Sequence, residues 1–163
     1  LPELLMREAC TALAERWGLE LSHIREGESP QETLSKPSAQ LGLVRFCGDV
    51  ARQRPEGGCW LDALADWRQP LVLMVAGEAG GGIPGSAAAY AALCHQLGAP
   101  LIGLVLIGSQ WNRLQRRRDG LPWMGWIPAA GVPERELALD HLVQELSRRS
   151  ITAAATGAGA HRP

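Results

Sequence analysis

The stretch PLVLMVAGEAGGGIPGSAAAYAALCHQLGAPLIGLVLIG, residues 70–108, decides the fold. Leu71 to Ala76 is an unbroken apolar run, the pattern of a parallel strand covered on both faces. Gly77-Glu78-Ala79-Gly80-Gly81-Gly82 follows at the carboxyl end of that strand, where open α/β sheets take their ligands. Ser86 stands where a side chain can cap a helix over Ala87–Leu97. After Gly98-Ala99-Pro100 a second apolar run returns as a buried strand. Together these segments read as one βαβ unit with a glycine-rich loop on its ligand-facing edge.

Gly80 to Gly85 has the glycine spacing of a phosphate-binding loop, G-x-x-x-x-G-K-[ST]. Ser86 occupies the lysine position, however, and Ala87 the position of the metal-binding hydroxyl. Without the lysine the β- and γ-phosphates lose their charge partner, and without the hydroxyl the magnesium loses a ligand. Lys36 is the only lysine in the chain, in the loop-like setting Ser35-Lys36-Pro37-Ser38. The loop therefore reads as a tight turn before a helix cap. Backbone N–H groups at that helix start keep a capacity to hold an anion weakly.

Beyond the loop, the sequence resembles the dethiobiotin synthetase family, within the branch of P-loop NTPases that includes the septum-positioning and plasmid-partition ATPases. The family's segment runs P-V-I-L-V-A, a short G-L-G-T-I-N-H-T turn, a helix ending in glycine, then L-P-V-x-G-V-V-L-N. Pro70–Ala76 matches the strand, Gly81 the second glycine of the turn, Ser86 its final hydroxyl residue, and Ala92-Leu93 the helix. Gly98 to Leu106 matches the returning strand without a gap, and Leu121-Pro122-Trp123-Met124-Gly125-Trp126-Ile127-Pro128 resembles the L-P-V-L-G-x-I-P segment that flanks the nucleotide base. The likeness covers residues 60–130. It implies a P-loop NTPase-like fold with ATP and Mg as cofactors. Asp49 would match the acidic magnesium ligand, and Arg54-Pro55-Glu56-Gly57-Gly58 the E-G-x-G-G substrate loop. The departures are concentrated in the chemistry: the Asn-His pair of the turn is Pro84-Gly85 here, and the adenine-reading asparagine is Gly108. No P-loop precedes the first helix, and one lying upstream of Leu1 would change the reading.

The remaining composition fits such a scaffold. With 163 residues, 46% hydrophobic and 20% charged, the chain is long enough for one core of ordinary size over residues 1–150. A net charge of −1 argues against a general nucleic-acid-binding surface. No run approaches the length of a membrane span, and the opening Leu-Pro-Glu-Leu-Leu has no basic lead, so a cytoplasmic setting is expected. Cys10, Cys47, Cys59 and Cys94 are too dispersed for a zinc or redox motif and read as buried free thiols.

Residues 2–17 predict a helix closed by Gly18, Leu19–Ile24 a short strand, 25–40 an exposed loop, and Leu41–Phe46 a strand ending before Asp49. As a residue after Gly48, Asp49 also reads simply as a turn aspartate. Trp60–Trp67 predicts a short helix with both tryptophans on one stripe. His95 suits the carboxyl end of its helix, and Glu134–Arg149 predicts a last helix. No serine or cysteine stands with His141 and Asp140 to make a triad. Ile151–Pro163 has too few large apolar groups to pack and predicts a disordered tail.

The basic run Arg113-Leu114-Gln115-Arg116-Arg117-Arg118 predicts a solvated loop, with an anion site as its functional alternative. Trp111, Trp123 and Trp126 bracket it and could take a partner or a base. The expected fold is three-layer α/β, with a mainly parallel sheet of about five strands and helices on both faces, P-loop NTPase-like or Rossmann-like. The ligand-binding candidates are Gly77, Glu78, Gly80, Gly81, Gly82, Ser86, Gly108, Ser109, Arg113 and Arg116, with Asp49 as metal candidate and no catalytic residue assigned. Two functions follow. One is a divergent relative that has lost nucleotide hydrolysis and acts as a binding or scaffolding protein, for a protein partner, a homodimer, a small anion or a nucleotide. The other is the carboxyl-terminal part of a working ATP-dependent carboligase whose P-loop lies upstream or on another chain.

Overall fold

Five parallel strands alternate with helices along the chain. The structure, a computed structural model, describes residues 2–36 and 41–158. The elements run α1 (Pro2–Trp17), β1 (Glu20–Arg25), α2 (Pro30–Leu34), β2 (Gly42–Cys47), α3 (Trp60–Asp66), β3 (Leu71–Ala76), α4 (Ser86–Leu97), β4 (Leu101–Ile107), α5 (Arg113–Arg118), β5 (Trp123–Ile127) and α6 (Arg135–Ala158). β1 pairs with β2, and β3, β4 and β5 pair in that order, every ladder parallel. The fold is three-layer α/β, as the sequence predicts.

The apolar runs produce this layering by alternation. On one face Val72, Met74, Val105, Ile107, Met124 and Ile127 pack with Ala9 and Leu13 of α1 and Leu139, Leu142 and Leu146 of α6. On the other, Leu73, Val75 and Leu104 pack with Ala87 of α4. Leu61 of α3 and Cys94 of α4 continue that layer over Leu71 and Leu101. β4 is the central strand, and its Leu104, Val105, Leu106 and Ile107 are all buried, as a strand covered on both sides requires.

Where one five-stranded sheet was expected, the strands form a pair and a triplet with no ladder between β2 and β3. Side chains of α1 bind the two groups instead: Cys10 Sγ lies 3.5 Å from Met74 Sδ of β3, and Glu3 forms an ion pair with Arg45 of β2. Within each group the strand order is sequential, so neither sheet contains the order reversal that opens a ligand crevice in doubly wound folds.

Several local expectations need correction. Within residues 25–40, Pro30–Leu34 is helical: Ser29 caps it by accepting from the Glu32 N–H, and buried Pro30 opens the first turn. Arg113–Arg118 is a helix rather than a loop, because Asn112 Oδ1 accepts from both Leu114 N and Gln115 N. Ser86 is the first residue of α4 and not its cap; Gly85 holds the cap position with no side-chain bond. The Trp60 and Trp67 stripe divides: Trp60 is buried edge-on to Phe46, whereas Trp67 follows the last turn and is exposed. The segment expected as a disordered tail begins inside α6, whose backbone is helical through Ala158; residues 159–163 lie outside the described residues. No described helix is long and apolar enough to cross a membrane.

Candidate functional site

The glycine-rich loop leaves β3 and immediately closes on itself. Ala79–Gly81 is a single 3-10 turn in which Gly80 and Gly81 take positive φ, 79° and 83°, a conformation open to glycine. The Gly81 N–H donates to the Glu78 carbonyl at 3.2 Å, and the Glu78 N–H to the Gly82 carbonyl at 2.9 Å. Two N–H groups that a phosphate cradle would point outward are thereby satisfied inside the loop. The Glu78 carboxylate folds back over Gly82, adding negative charge where a phosphate would need positive.

The loop is also held from outside. Arg116 of α5 donates from Nη2 to the Gly81 carbonyl at 3.1 Å. The amide of Gln115 lies against Gly81, and Gly77 touches Ser109 so closely that a Cβ there would meet Ser109 Cβ at 2.1 Å. The structure thus brings Gly77 to Ser109 and Gly81 to Arg116, four of the candidates, across the β3–β4 edge. It engages Arg116 with the protein's own backbone. Ser86 stays exposed at the start of α4. Gly108, at the position where the resembling family reads adenine, has a left-handed φ of 71° and lies beneath Leu5 of α1. Arg113 is exposed on α5.

Asp49 sits at the carboxyl end of β2, where one of its carboxylate oxygens is already bonded within the fold. Its Oδ1 accepts from Ala51 N at 2.9 Å and from the hydroxyl of Tyr90 on α4. The Tyr90 bond holds the Asp49 carboxyl below its ordinary pKa, and the same bond pushes the tyrosine up to about 12. Its own N–H donates to Glu26, which also pairs with Arg52 at 2.8 Å. Tyr90 and Glu26 were not singled out by sequence; their partners lie 41 and 23 residues away, beyond any local pattern. Among the described residues no group of three or more His, Cys, Asp or Glu side chains could hold a metal ion.

The Arg54–Gly58 turn is likewise closed. Arg54 N donates to the Gly58 carbonyl at 2.9 Å, and Arg54 pairs with Glu56 at 3.4 Å. The residues present therefore do not fit Mg·ATP: no lysine in the glycine-rich loop, a loop folded on its own donors, an acid already bonded to a tyrosine.

What the edge does offer lies on α5. Arg113, Arg116 and Arg117 share one face of this helix by their i, i+3 and i+4 spacing. Arg116 is buried, with its guanidinium 5.1 Å above the Trp123 ring. Trp123 in turn donates from Nε1 to Asp119 at 2.8 Å and stands edge-on to Trp111, ring centroids 6.1 Å apart. Leu121 and Trp123 pack against the β3–α4 layer, so this cluster runs from the loop edge at Gly81 along the β4–β5 crossover. No protein-family model, no curated protein and no solved structure matches this chain, so its likeness to dethiobiotin synthetases rests on the quoted residues alone.

Proposed function

We infer that this chain is a binding domain that does not hydrolyse nucleotides, a divergent α/β scaffold whose phosphate loop has become a structural turn. The observation that carries this reading is the bond from Arg116 Nη2 to the Gly81 carbonyl. The loop's nearby buried cation gives one N–H to the loop's own backbone and faces Asp119 at 3.3 Å, so a transferring phosphoryl group would meet a guanidinium already held by the fold and no lysine beside it. The inward N–H groups of Glu78 and Gly81, the serine in place of lysine and the Tyr90-bound Asp49 support it independently.

The test is a phosphate-release assay on the purified chain with Mg·ATP and Mg·GTP, run beside a Ser86→Lys variant. The wild type is expected at the rate of the uncatalysed blank. Release above the blank that vanishes in Asp49→Asn would refute the reading and restore a working nucleotide-hydrolysing site to this chain.

A further inference from the structure

Trp111, Arg113, Arg116, Arg117, Leu121 and Trp123 line a groove of about 380 Å³ along the β4–β5 crossover. Its size falls within the range of small-molecule sites, and no carboxylate lines it among the described residues. The side chain of Arg116 is only 7% exposed. One corner of its guanidinium, Nη2, reaches Gly81. Nε lies 3.3 Å from Asp119 Oδ2 but out of hydrogen-bonding alignment, and Nη1 has no acceptor at all. The other Asp119 oxygen is taken by Trp123 Nε1 and by Leu121 N. A buried guanidinium with two unsatisfied nitrogens is costly. Because both nitrogens are closed to solvent, Arg116 adds positive field to the groove wall rather than a free donor, and the exposed guanidiniums of Arg113 and Arg117 are the ones an anion can reach.

Charge points the same way. Asp119 neutralises one of the three arginines, and Arg113 and Arg117 make no ion pair among the described residues. Like charges four residues apart on one helix repel. An anion between them removes the repulsion and gives each guanidinium its planar, forked partner. The half-buried Trp111, edge-on to Trp123, supplies an aromatic wall, with Leu121 as apolar floor.

The geometry points to a binding site for a small anion that carries a flat ring, its phosphate or carboxylate head on Arg113 and Arg117 and its ring against Trp111. This rests on the reading of the chain as a binding domain and gives that domain its ligand class. Both halves of the ligand are required: the arginines select the head, and the indole selects the ring.

The full chain is titrated with AMP and with indole-3-acetate as ring-bearing anions, and with inorganic phosphate and adenosine as the separate halves. Tryptophan fluorescence and calorimetry report binding. At least one ring-bearing anion is expected to saturate with a Kd below about 1 mM, and each half to bind about 10-fold more weakly or worse. The phosphate and carboxylate arms distinguish which head the site takes. Arg113→Gln with Arg117→Gln, and separately Trp111→Leu, are expected to weaken binding about 10-fold or more. All three residues lie at the surface or rim, and an unchanged melting temperature shows that these variants fold. Absence of saturation by about 10 mM with both probes overturns the proposal. So does binding that the variants leave intact, since the site is then elsewhere. Tighter binding of an oligothymidylate, steeply weakened by salt, overturns it in favour of a nucleic-acid strand. Phosphate release from ATP with intact AMP binding in the groove would sink the non-hydrolytic reading alone, so the two failures are separable.

Discussion

Gly77→Ala is expected to destabilise the protein by overpacking a contact that cannot rotate away. The new Cβ would stand 2.1 Å from Ser109 Cβ and 2.5 Å from its Oγ. Carbon atoms in contact sit about 3.5–4.0 Å apart, so about 1.5 Å must be opened between two loops. Ser109 Cβ is bonded to the main chain, so a rotamer change moves Oγ but not the clash. The backbone must give instead, and the Gly77 N–H to Ile107 carbonyl bond of 3.1 Å resists that movement. Overpacking of this kind costs about 1–3 kcal/mol. At this chain length 2 kcal/mol corresponds to a fall of about 4–8 °C in Tm. Urea unfolding followed by tryptophan fluorescence measures it. Ser109→Gly alone should cost under about 1 kcal/mol, chiefly through backbone entropy. In the double variant the next neighbour of the added Cβ is Leu106 Cδ1 at 3.4 Å, an ordinary contact. The alanine should then be tolerated, with a coupling of at least about 1 kcal/mol between the two sites. If Gly77→Ala costs the same with and without the Ser109 side chain, the packing argument for this edge is wrong.

Leu142 is fully buried on α6 and its side chain lies against Gly125 of β5, so Leu142→Ala should lose about 2–5 kcal/mol in the same unfolding assay. A loss below about 1 kcal/mol would mean that α6 does not cover the sheet as described. Tyr90→Phe removes the Asp49 bond, and the pH dependence of the loss has a definite sign. Asp49 is lowered from 3.8, so its share of the stability is present above that value and lost as pH falls through the folded pKa. Tyr90 is raised from 10.0 to about 12, so its share is complete below 10.0 and lost as pH rises toward about 12. The stability gap between wild type and Tyr90→Phe should be flat between these limits and narrow at both ends; a gap that persists unchanged into alkali refutes the bond. Among the cysteines, Cys10, Cys59 and Cys94 are buried and burial raises all three thiols, Cys10 to about 11, whereas Cys47 is half-buried. Cys47 should therefore be the first thiol modified in the native protein, and prior modification of Cys59 or Cys94 would contradict the packing.

Much of the architecture is legible in local pattern because it is locally caused. Leu71–Ala76 is a strand by its continuous apolar run, and Pro2–Trp17 a helix that ends at Gly18 with φ 70°. β1 and β2 lie one residue from where the sequence reading puts them, since pairing decides the last residue of a strand. The helix at Arg113–Arg118 was missed although its signals were present, Asn112 before it and Gly120 after it. A run of arginines has no apolar stripe, and periodicity finds helices only by that stripe.

The site is a different matter. Sequence showed that the lysine was absent, that glycines crowded one loop, and that arginines and tryptophans gathered in another. Only the tertiary structure put Arg116 on the Gly81 carbonyl 35 residues away, placed Gly77 against Ser109, and gave Asp49 to Tyr90. It also broke the expected sheet into a pair and a triplet and moved the open groove to the crossover flank. The physical reason is range. Strand and helix formation answer to neighbours within one or two turns, which a sequence displays. A hydrogen bond between loops depends on where the packed core carries each of them, and the core is the sum of all contacts in the chain.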